Sequence, residues 1–132
     1  MQQIKTFLIF DGKAEEAMNF YISLFANSQI TNIVKYEANE QGVEGSVKHA
    51  TFLLNEQMFM CMDSNVAHGF TFTPSISLYV TCNTEKEIDD LFAKLSDEGQ
   101  VFMPLSNYPF SKKFGWASDK FGVSWQLNLE SK

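Results

Sequence analysis

Few side chains in this 132-residue chain have the type and spacing that proton transfer, nucleophilic attack or metal ligation requires. Of the two histidines, His49 lies in a strand-like stretch, where an imidazole titrating near neutrality is the best single candidate for a catalytic base or a metal ligand. The alternative is a packed, hydrogen-bonded strand histidine. Asp63 and His68 are the carboxylate and imidazole that connecting segments could add to it. Hard divalent cations want carboxylates and borderline ones want several imidazoles, so one candidate ligand disfavours a divalent metal, and no cofactor is expected. Cys61 and Cys82 stand apart, outside any Cys-x-x-Cys spacing, which points to a reduced, cytoplasmic chain without a zinc knuckle or a disulfide framework. The turn Asp11-Gly12-Lys13 has one glycine, short of the glycine-rich turn that binding of S-adenosylmethionine usually needs.

The elements that would position these groups repeat. Residues 4–10 are apolar and rich in strand formers, and end at the turn signal Asp11-Gly12. Residues 14–25 repeat apolar positions at three- and four-residue steps, which predicts a helix. Strands are expected at 29–36, 46–54 and 57–63. The same order returns with a strand at 75–81, a helix from the Thr84/Glu87 capping box to about residue 95, and strands at 101–103, 115–118 and 123–129. A constant separation of 71 positions carries Phe7 onto Leu78, Ile9 onto Val80, Phe20 onto Leu91 and Leu24 onto Leu95. The expected fold is α+β, a single domain over 1–132 built from paired βαβββ modules at about 1–65 and 74–130. Each module alone would be marginal, so the two are expected to share buried surface around a hollow.

Alternation along the strands separates the faces. In the last strand, Trp125, Leu127 and Leu129 belong under a helix, whereas Ser124, Gln126 and Asn128 turn away from it. The same reading turns Ser75, Ser77 and Tyr79 away from the second helix and, in the first module, groups Thr6, His49 and Thr51 with them. Such a lining of hydroxyls and amides suits a small organic molecule better than a cation, although strand Ser and Thr are also often satisfied by neighbouring backbone. Residues 104–116 form an aromatic loop with Tyr108, Phe110, Phe114 and Trp116, which together with Phe70 and Phe72 would make a lid or else close the core or a subunit interface. Ten basic against sixteen acidic residues give a formal charge of −6, which repels nucleic acid and anionic lipid; Lys112-Lys113 is too small a basic patch to reverse this. No secretory leader or membrane span is expected.

The paired βαβββ order, the opening IKTFLIFDGKAEEAMNFYISLF and the closing FGWASDKFGVSWQLN resemble the vicinal oxygen chelate superfamily, that is, the glyoxalase, bleomycin resistance and dihydroxybiphenyl dioxygenase fold. Within it the chain is most similar to the PhnB-like group, which carries a 3-demethylubiquinone methyltransferase-like name. The resemblance implies that metalloenzyme relatives place His and Glu ligands at positions that here fall on Thr6, on Thr51 or His49, on Ser75 or Ser77, and on Gln126. An amide at 126 cannot act as a base at neutral pH. Metal-free relatives imply instead a homodimer that sequesters planar ligands. The ligand-binding set expected on this basis is Thr6, His49, Thr51, Ser77, Tyr79, Trp116 and Gln126. A glyoxalase-type metal-dependent lyase or isomerase using His49, and a purely structural partner protein, are the competing expectations.

Overall fold

The first apolar run forms β1 (Thr6–Phe10), and the amphipathic stretch after it forms α1 (Ala14–Leu24), in a computed structural model that describes residues 1–131. They are followed by β2 (Gln29–Lys35), β3 (Val47–Leu54) and β4 (Gln57–Asp63). The sequence then repeats the order as β5 (Ser77–Cys82), α2 (Glu85–Ser96), β6 (Gln100–Tyr108), β7 (Ser111–Ser118) and β8 (Ser124–Leu129). The chain divides into two compact units, one over Met1–Gly69 and the other from Phe70 onward. Each unit has one mixed four-stranded sheet, ordered β1-β4-β3-β2 in the first and β5-β8-β7-β6 in the second. In each, the strand before the helix pairs in parallel with the last strand, and the other pairs are antiparallel. Among the described residues no helix is long and apolar enough to cross a membrane.

One face of each sheet is covered by its own helix. In the first unit, Ala14, Ala17, Met18 and Tyr21 of α1 are buried, as are Leu8, Ala50, Phe52 and Cys61 on the facing strands. In the second unit, α2 buries Ile88, Leu91, Phe92 and Leu95, and the sheet contributes Trp125, Leu127, Leu129 and Ala117. Gly115 lets α2 approach closely, since a Cβ there would lie 2.5 Å from a Phe92 ring carbon. The two helix starts are satisfied differently. The α2 start has the capping box read from the sequence, with Thr84 Oγ1 accepting from Glu87 N at 3.1 Å and Glu87 Oε1 accepting from Asn83 N at 2.9 Å. Lys13 at the α1 start gives no side-chain cap. Asp63 supplies it instead, from the end of β4: Oδ1 accepts from Ala14 N and Oδ2 from Val47 N, both at 2.9 Å.

Two expectations change. Residues 104–116 are not a loop, because β6 and β7 extend through them as a hairpin. Pro104 lies within β6, but β6 is a sheet edge, where a missing N–H is tolerated, and its register with β7 shifts twice between Val101 and Ser106; Pro109 sits in the turn of the hairpin. The repeat is also out of step by one residue. Three residues separate β1 from α1 and two separate β5 from α2, so the helices superpose at 71 positions while the strands before them superpose at 72. A one-residue slip reverses every facing in a strand. Thr6 therefore matches Leu78 rather than Ser77 and pairs with Phe59, which is opposite Phe52 on the helix-covered face. Phe7 and Ile9 take the uncovered face instead.

Candidate functional site

In the second unit the face away from α2 brings together most of the expected polar residues. Register places Ser77 opposite Ser124 and Tyr79 opposite Gln126 across β5 and β8, and Trp116 opposite Gln126 across β7 and β8. Paired residues share a face, so these five form one patch. At its centre Ser77 Oγ and Ser124 Oγ are 2.7 Å apart. Trp116 Nε1 donates to Ser124 Oγ at 2.9 Å, and Gln126 Nε2 donates to Ser77 Oγ at 3.2 Å. Ser124 is buried, whereas Tyr79 is 58% exposed and the others are half-buried. Asn128, next on the same row of β8, accepts a short hydrogen bond from Ser111. Ser75 lies outside the patch, before β5 begins, and bonds with Thr73 Oγ1 at 2.8 Å. Ile76 is likewise outside the strand and exposed, not under α2.

Aromatic rings from β5 and the β6–β7 hairpin border the polar patch. Phe114 is buried, with Phe110 edge-on at 4.9 Å, Tyr108 at 6.1 Å and Tyr79 at 6.5 Å between ring centroids. Phe102 packs at 5.1 Å against Trp116. Sequence reading did not single out Phe102, because the shifted register of β6 is not visible in its alternation.

The first unit presents a different surface. His49 is half-buried, with the Phe7 ring edge-on at 6.3 Å. Thr51 Oγ1 is 2.7 Å from Thr31 Oγ1, so its hydroxyl already has a partner. Met60 and Met62 of β4 lie opposite Phe7 and Ile9 on this face, making it largely apolar.

Among the described residues no three His, Cys, Asp or Glu side chains are grouped to hold an ion. Both Asp63 oxygens accept from backbone amides, so this carboxylate serves the start of α1 and the start of β3. The cysteines supply no nucleophile. Burial pushes the Cys61 thiol up to about 12, with the Asp63 charge adding to it. Cys82 is likewise raised by burial, with Glu87 nearby, to about 12. Both stay protonated at neutral pH. Lys113 is paired with Asp89 of α2 at 2.6 Å, and this hydrogen bond raises its pKa.

Comparison with known proteins follows the fold closely. No curated protein sequence matches the chain. The PhnB protein of Bacillus cereus is 64% identical, with 98% of this chain and 100% of that one covered and a TM-score of 0.96. A Pseudomonas aeruginosa protein is 25% identical over the full length of both chains, with a TM-score of 0.86. FosX, a fosfomycin resistance protein of Listeria monocytogenes, shares the fold at 11% identity and a TM-score of 0.62, over 99% of this chain and 94% of its own; a variant of it was solved with Mn(II) and 1S,2S-dihydroxypropylphosphonic acid. A family model described as 3-demethylubiquinone-9 3-methyltransferase matches residues 2–128. With that match over nearly the whole sequence, the chain belongs to the 3-demethylubiquinone-9 3-methyltransferase family and is PhnB-like.

Proposed function

We propose that this PhnB-like chain is a vicinal oxygen chelate protein that binds and sequesters a small organic molecule on the uncovered sheet face of its second unit, without metal and without catalysis. The observation that carries this reading is the Ser77–Ser124–Trp116–Gln126 network, a set of neutral hydrogen-bonding groups held among aromatic rings on a face its own helix leaves open. No group in that network is a base or a nucleophile at neutral pH. The metal-dependent alternative needs further ligands around His49, and the one carboxylate offered by the sequence, Asp63, is already taken up at the start of α1. Methyl transfer fits no better. The β1–α1 turn has a single glycine, and the first amide of α1 is occupied by Asp63. A cytoplasmic homodimer belongs to the same proposal, because the edge strands β2 and β6 carry unpaired backbone groups that a second copy could cover.

A thermal-shift screen of small aromatic compounds tests the reading. Some should raise the melting temperature of the wild type, and the shift should vanish in Gln126→Ala. That variant itself should lose only about 0.5–1.5 kcal/mol, since it gives up one half-exposed hydrogen bond. A loss of several kcal/mol in Gln126→Ala, or equal ligand shifts in both proteins, would place Gln126 in the packing and defeat the proposal.

A further inference from the structure

The direction of the hydrogen bonds around Ser124 determines what the open face leaves for a ligand. An indole N–H can only donate, so Ser124 Oγ accepts from Trp116 Nε1 at 2.9 Å. Ser124 is 2% exposed, and its own proton needs an acceptor within the protein. Ser77 Oγ, at 2.7 Å, is that acceptor. Ser77 Oγ accepts a second time from Gln126 Nε2 at 3.2 Å. With both lone pairs engaged, the Ser77 hydroxyl has only its proton left to offer. Gln126 faces Ser77 with its NH2 group, which leaves Oε1 as an acceptor with no partner among the described residues. The patch thus presents one donor and one acceptor close together, both uncharged, beside the rings of Trp116 and Tyr79.

We infer that this face selects a neutral, planar molecule with a carbonyl oxygen and an N–H on neighbouring atoms, a carboxamide or a lactam. Its carbonyl accepts from the Ser77 hydroxyl, its N–H donates to Gln126 Oε1, and its ring lies against Trp116. A carboxylate of the same shape is discriminated against, because one of its oxygens would face Gln126 Oε1 with no proton between them. Lys113 of β7 is tied to Asp89 of α2, on the other face of the sheet, and does not offset that repulsion. The inference rests on the binding function proposed above and specifies its ligand.

Ligand-observed NMR on the full chain at pH 7.5, using 2-naphthamide, 2-naphthoate and 2-naphthamidine as matched probes, tests it. The amide should bind the wild type at least tenfold more tightly than the carboxylate. Gln126→Glu, which has only acceptors at that position, should bind the cationic amidine at least tenfold more tightly than the wild type does and lose preference for the amide. Naphthoate binding the wild type as well as naphthamide would mean that Gln126 presents its NH2 outward. That result would overturn the donor–acceptor assignment while the binding function stands. If none of the three probes binds at millimolar concentration, both fail.

Discussion

Asp119→Ala should lower the unfolding free energy by about 3–5 kcal/mol, a loss at the upper end for a single substitution. Asp119 is 3% exposed at the turn between β7 and β8. Its Oδ1 accepts from Phe121 N at 2.9 Å and Val123 N at 3.0 Å, and its Oδ2 accepts from Trp125 Nε1 at 2.9 Å. Alanine removes both acceptor oxygens and with them these three hydrogen bonds, and the Trp125 indole in the core beside α2 loses its bond to Oδ2, where an unsatisfied donor costs about 1–3 kcal/mol by itself. The same turn fixes the register that sets Ser118 opposite Ser124 and therefore decides which face Ser124 and Gln126 occupy. Asp119→Asn should lose less, because its carbonyl oxygen can still accept from both turn amides while its NH2 opposes the indole. Denaturant unfolding monitored by tryptophan fluorescence measures both. A loss below about 1 kcal/mol for alanine would show that the turn is held by its backbone bonds and Gly122 alone.

Asp63→Ala is expected to lose about 3 kcal/mol, for a similar reason and with a functional consequence. It strips the α1 start of its one side-chain acceptor and leaves Val47 N, which is buried, without Oδ2. The substitution also separates a structural from a metal-binding role. If Asp63 caps the helix, Mn(II) or Zn(II) leaves the wild-type unfolding midpoint unchanged, and the variant is destabilised equally with and without metal. Metal-dependent stabilisation of the wild type that disappears in Asp63→Ala would instead make Asp63 a ligand alongside His49.

Much of this arrangement was legible in the sequence wherever a period could be read. The three- and four-residue spacing in α1, the Thr84/Glu87 box at the start of α2 and the apolar row Trp125, Leu127, Leu129 all stand where expected. Ser77, Tyr79 and Gln126 do share one face, as the alternation of β5 and β8 implied, and Trp116 joins them from β7, where it was expected in a loop. What could not be read arose from events that leave no periodic trace. The extra residue in the Asp11-Gly12-Lys13 turn shifts β1 by one position and sends Thr6 to the helix side. A long-range cap from Asp63, 49 positions from Ala14, carries no local signal. Pro104 hid an edge strand, and with it the contact of Phe102 with Trp116.

Native mass spectrometry of the chain purified without chelators tests the central claim most directly. The account predicts a small organic adduct on the wild type, absent from Gln126→Ala, and no mass increment from a transition metal in either. One bound metal ion per chain, lost in His49→Ala and indifferent to Gln126→Ala, would contradict it.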